Sequence, residues 1–554
     1  MKIDKFFNLF AFFLLWSTLF AKESPPQARP ESQKQIIRIG NSAEPKVLDP
    51  ALATGAIEAH IIDNLFEGLT TIDPYTGEPL PGAASSWTIS PDGLNYTFTL
   101  RKNLCWSDGT KLTAEDFRWA WVRALEPKTA SEYGYQLYPV KNAEAFNKGE
   151  LKDPFQLGIH VVDTQTLNVN LEHPTPYFLR LTAFQTLYPT PKHLISKNNN
   201  WTDATRMVSN GPFKLAEWSI NKHIKLVSNP YYWDKDQVKL KEAYFLPIEN
   251  GDTEEKNFLS GDLDITSTVP ALRLQHYRTQ QKDKLANVWN PLKTNPFLAV
   301  YFYRLNVTKP PLNNIKVRKA LAMTIDRKLL VERVTRGGQI PYTAFTPPID
   351  TYSTPGKLDI SPSAKTIEAA QKLLAEAGYP NGQGMPPLDI LYFNNEDEKK
   401  IAIAIQQMWN KSLHINVGLF NQEWKVYLDR QLKLDYTIAR SRWIGDYPDP
   451  NTFLDMFVTN GGNNQTGWSN KDYDHLIRQA ALEPDPHKRN ELFQKNENIL
   501  LEELPVIPIF IFTNIRLIAP YVQMFKPGTH DITEWKSDIM DRIFLKYYVI
   551  TNRK

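Results

Sequence analysis

The sequence predicts an α/β protein of more than one domain. Its 554 residues are too many for a single ordinary hydrophobic core, so two or three domains are expected. Strand and helix patterns alternate along the chain, which is typical of α/β architecture. A composition of 42% apolar and 23% charged residues indicates a globular protein.

The first alternating segment lies near residue 100. Tyr96, Phe98 and Leu100 alternate with threonines, which predicts a half-buried strand. Thr113 and Asp116 have the spacing of a capping box, so a helix should begin there.

A second alternating segment begins near residue 367. Its apolar positions predict a helix that ends at Gly378, a strand over 388–392, a helix over 401–409 and a strand over 415–419. These apolar stripes are interpreted as core packing.

The N-terminus predicts export. Lys2 and Lys5 precede an apolar run over residues 6–20, and Ala21 ends it. This is the layout of a signal peptide over residues 1–21, cleaved after Ala21. The alternative is an uncleaved anchor helix, but the run is shorter than the roughly 20 residues that span a bilayer. No cysteine near the cleavage site could carry a lipid anchor, so we expect a soluble periplasmic protein. Residues 22–35 are polar and Pro-rich, which predicts a disordered leader.

Charge and motifs argue against several functions. With 64 basic and 61 acidic residues, the chain offers no basic face for nucleic acid. It has no nucleophile elbow, zinc-protease motif, P-loop or dinucleotide-binding motif. We therefore predict no catalytic residues, no cofactor and no metal. Paired carboxylates of a secreted hydrolase stay open as an alternative, because carboxylates are plentiful.

Four short motifs within forty residues point to a family. They are PGAASSW (81–87), YTFTLRK (96–102), WSDGT (106–110) and TAEDF (113–117). Together they closely resemble the signature of the peptide- and nickel-binding family of ABC solute-binding proteins. NQEW (421–424) and WIGDY (443–447) resemble its oligopeptide-binding branch in particular.

The resemblance implies a three-domain Venus-flytrap fold of the type II, cluster C-like class, with two lobes that close on a ligand. Domain I would be discontinuous, from residues 36–67, 193–295 and 514–554. Domain II would be residues 68–192, and domain III, the second lobe, residues 296–513. The ligand would be a short peptide bound as an added strand, and the partner an ABC permease in the inner membrane. A monomer without enzymatic activity is expected.

The same resemblance assigns site residues. Asp446 would bind the peptide's N-terminal amine; the alternative is an Asp that caps a turn. Trp424 and Trp443 would line side-chain pockets, or else belong only to the core. Tyr133 would contact the peptide from the opposite lobe. Arg440 would receive the peptide's carboxylate or organise Asp446.

Two positions depart from the family pattern, and one of them belongs to the peptide's carboxylate end. Thr54 stands where peptide binders carry a Glu, and Glu398 where they carry a His. We expect Glu398 to repel a carboxylate or receive a basic group, which implies a shifted length preference or a distinct ligand such as a cell-wall peptide. Arg442 has no family counterpart and is expected to be a solvated or structural arginine. A non-peptide ligand (a metal chelate, haem or a sugar) stays open, because a fold does not determine its ligand.

Overall fold

A computed structural model of the chain describes residues 35–197, 200–282, 290–349, 351–483, 485–529, 531–534 and 540–551. The predicted signal peptide (1–21) and the predicted leader, except Gln35, lie outside the described residues. Within these ranges no helix is both long and apolar enough to cross a membrane. Helices alternate with strands of mixed and antiparallel sheets along these ranges, so the predicted α/β class is confirmed.

The first part of the fold joins distant segments of the chain. Its four-stranded sheet has the order Ile36–Gly40, Glu242–Leu246, His223–Ser228, Phe213–Ser219. The first pair is parallel, with Ile36 opposite Glu242, and the other pairs are antiparallel. A three-stranded sheet of Val522–Phe525, Ile532–Glu534 and Tyr548–Ile550 contains the C-terminal strands. The helices of this part are Ala56–Leu65, Gly251–Ser260 and Ala271–Lys282.

The second part is continuous in sequence. Its antiparallel sheet has the order Ala84–Ile89, Asn95–Leu100, Thr166–Asn170, Ile159–Asp163, beside the pair Thr70–Ile72 and Pro79–Pro81. Its helices are Ala114–Leu125, Ala143–Asn147, Phe178–Leu181 and Lys192–Ile195. The predicted strand and the Thr113–Asp116 capping box are both confirmed.

The third part is built on a six-stranded mixed sheet. The order is Ile340–Pro341, Val506–Leu517, Leu292–Leu305, Ile438–Ile444, Leu388–Phe393, Val417–Gln422. Its helices are Ile315–Met323, Arg327–Leu329, Ala364–Glu376, Glu396–Leu413, Trp424–Leu432, Asn451–Leu454, Lys471–Leu482 and Pro486–Glu503. The predicted helix–strand–helix–strand succession after residue 367 is confirmed.

Short helical turns complete the connections. Seven of those in the described ranges are 3-10 turns: Pro127–Thr129, Gly134–Leu137, Pro154–Gln156, Gln185–Leu187, Pro380–Gly382, Asp455–Phe457 and Leu545–Tyr547. A π-helical turn covers Leu330–Thr335.

Two long strands connect the third part to the first. Leu292–Leu305 and Val506–Leu517 pair antiparallel, from Leu292 opposite Leu517 to Arg304 opposite Val506. The predicted domain boundaries at 295/296 and 513/514 lie directly opposite each other in this ladder, which becomes irregular after Pro296. Below, residues 36–295 and 514–551 are called the first lobe, and residues 296–513 the second lobe. The domain boundaries themselves stay predictions.

A buried carboxylate ties together three segments of the first lobe. Asp49 accepts two hydrogen bonds from Arg123, at 3.0 and 2.6 Å, and one from Trp201 Nε1 at 3.1 Å. The side chains of Asp49 and Arg123 are only 3% and 15% exposed. Since the three residues are far apart in sequence, this contact depends on the complete lobe.

We predict that Asp49→Ala destabilises the protein by about 3–5 kcal/mol, because it leaves the buried Arg123 without its partner. Thermal unfolding checks this. The control is Glu144→Ala, which removes an exposed pair with Lys148 at 2.7 Å and should change stability by less than about 0.5 kcal/mol. Equal effects of both substitutions would contradict the prediction.

Candidate functional site

A single cavity between the two lobes is lined by all seven predicted site residues. Its volume is about 310 Å³, at the lower end of the range that is usual for small-ligand sites. The seven residues are Thr54, Tyr133, Glu398, Trp424, Arg440, Trp443 and Asp446. The structure therefore brings them together, although it does not by itself assign their roles.

Asp446 follows the strand Ile438–Ile444 and faces the opposite lobe. Gln136 Nε2, from the first lobe, donates to its Oδ2 at 2.9 Å, and Thr452 Oγ1 donates at 3.4 Å. Both donors are neutral, and within the described ranges no cation lies at ion-pair distance from this carboxylate. Burial raises the pKa of Asp446 to about 8, although the positive charge of Arg542 offsets part of that effect.

Asp449, three residues after Asp446, caps the turn that follows. Asp449 Oδ1 accepts the backbone N–H of Asn451 at 2.9 Å, and Arg489 donates to both carboxylate oxygens at 2.7 and 2.9 Å. Asp446 instead receives a side chain from the other lobe. This difference favours a ligand-facing role for Asp446.

Stacked aromatic rings form the walls of the cavity. Tyr133 of the first lobe stacks on Trp443 of the second, with ring centroids 6.0 Å apart and planes at 19°. Trp424 stacks on Tyr427 at 5.5 Å and donates from Nε1 to Glu58 of the first lobe at 3.3 Å. Both tryptophans belong to apolar clusters and also line the cavity, so core packing and pocket formation are combined in them.

Thr54 lies at the entrance of the helix Ala56–Leu65. Gly55 caps that helix, and a Cβ there would lie 3.1 Å from Cζ2 of Trp424. A larger residue at 55 would therefore press on the cavity wall. The backbone at this helix start is close enough to the opposite lobe to contact whatever occupies the cavity.

Glu398 and Arg440 form a buried ion pair with each other. Tyr301 Oη donates to Glu398 Oε2 at 2.6 Å, and the guanidinium of Arg440 lies over the rings of Tyr301 and Phe393 at 5.1 and 5.0 Å. Burial alone would lower the pKa of Arg440, but the Glu398 carboxylate holds it above its usual value. Arg440 therefore organises Glu398 in this structure, not Asp446, and the acid expected to repel a carboxylate is neutralised by its partner.

Sequence reasoning missed part of the site. Arg442 lines the cavity, although sequence reasoning gave it no part in the site. Arg442 lies two residues after Arg440 on the same strand, and side chains with that spacing point to the same face of a sheet. The spacing could therefore have predicted that both arginines face the cavity. The C-terminal segment 540–542 also lines the cavity; its Arg542 pairs with Asp63 at 2.8 and 2.6 Å. No sequence motif pointed to it.

Direct contacts also hold the lobes together around the cavity. Tyr177 stacks on Tyr447 with centroids 4.6 Å apart and planes at 7°. Lys46 Nζ lies 2.5 Å from Asp429 Oδ1, and Asn463 Nδ2 donates to Tyr135 Oη at 3.1 Å. These contacts describe a closed arrangement of the two lobes.

Comparison with known proteins agrees with this architecture. The model of the family "Bacterial extracellular solute-binding proteins, family 5 Middle" matches residues 78–465. The oligopeptide-binding protein OppA of Bacillus subtilis is 41% identical over 511 residues, which cover 90% of this chain and 92% of that protein.

Solved structures resemble the whole molecule. The murein tripeptide binding protein MppA of Escherichia coli superimposes with a TM-score of 0.87 at 34% identity, covering 95% of this chain and 100% of that one. Haemophilus influenzae OppA in complex with RPPGFSPFR gives a TM-score of 0.87 at 35% identity, with 95% and 100% coverage. The unliganded open form of MppA gives only 0.60, with 95% and 99% coverage. The lobes are thus arranged more as in the complex than as in the open form.

We predict that Glu398→Ala lowers stability by about 3–5 kcal/mol, because Arg440 would be left buried without an anion. Differential scanning calorimetry measures the effect. Glu396→Ala is the matched control: its side chain lies in the first turn of the same helix, is 56% exposed, and should be nearly neutral. A variant at 398 as stable as the control would refute the buried-pair interpretation.

Proposed function

Since the chain belongs to the bacterial extracellular solute-binding proteins of family 5, we propose that it captures short peptides in the periplasm and delivers them to an ABC permease. The observation that carries this proposal is the Asp446 carboxylate, which is enclosed between the lobes with only neutral hydrogen-bond donors among the described residues. A buried carboxylate without a cation is costly, and the α-ammonium group of a peptide would remove that cost.

Backbone edges near Asp446 support a peptide in particular. The strand Ile438–Ile444 pairs with Leu292–Leu305 along its whole length, from Ile438 to Ile444. On its other side the ladder reaches only Ile438 and Ala439. The unpaired edge beyond Ala439 lines the cavity, so an extended peptide could add there as a strand while the aromatic walls receive its side chains.

The proposal includes closure of two lobes. Domain I would comprise residues 36–67, 193–295 and 514–554, domain II residues 68–192, and domain III residues 296–513. The hinge would be the ladder of Leu292–Leu305 and Val506–Leu517, at the irregular register after Pro296. A ligand that contacts both lobes would favour the closed state by its differential affinity.

The remaining parts of the proposal concern the oligomeric state, the export and the partner of the protein, and its preference among peptides. We infer that the protein is a monomer, acts without a catalytic step, and is exported by a signal peptide over residues 1–21 to serve a permease in the inner membrane. The changed carboxylate end, with Glu398 paired to Arg440, favours a length preference of its own or a specialised wall peptide over the family's usual range.

Native mass spectrometry of protein purified without denaturation tests the proposal. We expect released masses that match short peptides, and we expect Asp446→Asn to lose them because its binding weakens on the order of 100-fold. The control is Asp435→Asn, whose exposed carboxylate pairs with Arg430 at 2.8 Å on the surface. A single non-peptide mass, such as a chelate, haem or sugar, would overturn the peptide assignment.

Closure without a ligand should depend on pH. Burial raises the pKa of Asp446 to about 8 in the closed form, whereas an open, hydrated carboxyl titrates near 4. The closed ligand-free form is therefore favoured fully below about pH 4, and this preference is lost as the pH rises through 8.

Small-angle X-ray scattering of the ligand-free protein between pH 6 and 9 checks this expectation. The closed fraction should fall as the pH rises, and Asp446→Asn should remove that dependence. Burial also raises the pKa of Glu58 and of Glu132, so these two groups favour the closed form in the same direction. A flat profile in the unsubstituted protein would contradict the prediction.

A further inference from the structure

The cations that line the cavity differ in whether the protein itself satisfies them. Arg440 pairs with Glu398, and Arg542 donates to both oxygens of Asp63. Arg304 donates to Ser441 Oγ at 3.1 Å and to the Asn463 carbonyl at 2.7 Å. Each of these guanidinium groups already has at least one acceptor, although the buried Nε of Arg440 has none among the described residues. A ligand would therefore have to compete for most of their donors.

Arg442 is different. Its guanidinium lies over the ring of Phe512 at 5.5 Å, and in the described part of the chain it has no hydrogen-bond acceptor and no ion-pair partner. Burial lowers its pKa, and the neighbouring positive charge of Arg440 lowers it further. A guanidinium that is partly desolvated, lies over a ring and is unpaired is a ready site for an anion, because its planar donors fit a carboxylate in a bidentate manner.

The charges around Arg442 do not supply that anion. The charged groups with the largest effect on its pKa are Arg440, Asp541, Glu398 and Arg516. Glu398 is bound to Arg440, and Asp541 accepts from Arg516 at 2.6 Å. Both pairs are internally neutral, so this corner of the cavity carries the uncompensated positive charge of Arg442.

We propose that Arg442 is a specificity-determining residue that binds a carboxylate of the ligand. The inference rests on the proposed function and deepens it: the ligand is a zwitterion whose amine is held at Asp446 and whose carboxylate is held at Arg442. The two residues are four positions apart, so their Cα atoms are at most about 13 Å apart at the rise of an extended strand. An extended peptide of three or four residues separates its charged ends by about 10–13 Å, which is similar.

The carboxylate has two possible sources, the C-terminus or an acidic side chain, and three synthetic peptides distinguish them. The probes are Ala-Ala-Ala, its C-terminal amide, and Ala-Glu-Ala amide, with affinities measured by isothermal titration calorimetry. Amidation of Ala-Ala-Ala should weaken binding to the unsubstituted protein by about 10- to 100-fold. Recovery of affinity with Ala-Glu-Ala amide would identify the side chain as a sufficient source.

Substitution assigns the effect to one residue. In Arg442→Gln the free and amidated peptides should bind equally, and Arg442→Lys should restore part of the preference. The control Arg430→Gln removes a surface arginine of the same lobe that lies over Phe420, and it should keep the full preference. If Arg442→Gln does not fold, the affinities of the free and amidated peptides are compared between Arg442→Lys and the unsubstituted protein. A smaller preference for the free peptide in Arg442→Lys would then support the role of Arg442, and an unchanged preference would contradict it.

Two failures are distinguishable. If free Ala-Ala-Ala binds and Arg442→Gln discriminates against the amide as strongly as the unsubstituted protein, the role of Arg442 is overturned while the carrier function stands. If the unsubstituted protein binds neither Ala-Ala-Ala nor longer or shorter alanine peptides, the carrier function fails and the role of Arg442 falls with it.

Discussion

The rest of the site depends on one constraint: charges that are enclosed when two lobes meet must be compensated. A buried charge without a partner costs several kcal/mol, whereas a paired one can be tolerated. The cavity obeys this rule at Glu398 with Arg440 and at Asp63 with Arg542. Among the described residues it departs from the rule at Arg304 and Arg442, whose guanidinium groups have no carboxylate partner. At Asp446 burial raises the pKa to about 8, so the carboxyl is enclosed as a charge only when a cation joins it. A ligand with an amine and a carboxylate would therefore supply charges that the closed protein lacks.

The contacts that hold the lobes together are individually weak, so they can be broken when the lobes open. Each lobe inserts an aromatic ring into the other: Tyr447 packs into the core cluster of the first lobe, and Tyr133 into a cluster of the second. Such stacked pairs contribute about 0.5–1.5 kcal/mol each beyond their burial. The half-exposed pair of Lys46 and Asp429 adds little, as surface ion pairs usually do. The contacts between the lobes thus stabilise the closed form only modestly. The binding free energy of a ligand at Asp446 can therefore shift the equilibrium between the open and closed forms.

Much of the fold could be predicted because its signals are local. Alternation around Phe98 and a capping box at Thr113 depend on neighbouring residues only, and the motif around Trp443 placed one strand end in the cavity. The missed features are contacts between distant segments. Glu398 meets Arg440 only because a helix start faces a neighbouring strand, and segment 540–542 reaches the cavity after the chain has crossed between the lobes twice. The periodicity of apolar residues reflects local structure and does not predict contacts between segments that are distant in sequence.

The balance of charge over the whole cavity also bears on the ligand. Five carboxylates and five cations are among its lining residues: Asp63, Asp397, Glu398, Asp446 and Asp541, with Arg304, Lys400, Arg440, Arg442 and Arg542. Asp541 is already paired with Arg516, which is not among the lining residues, so the lining has one more cation than carboxylates free to offset it. A ligand carboxylate would offset that excess positive charge, whereas a ligand with only an amine would add to it. Amine capture alone would make Asp446 sufficient and would accept amines of any kind. An unpaired guanidinium at a short distance along the same chain segment adds the second requirement, and together they favour a short zwitterion over a simple amine or a simple acid.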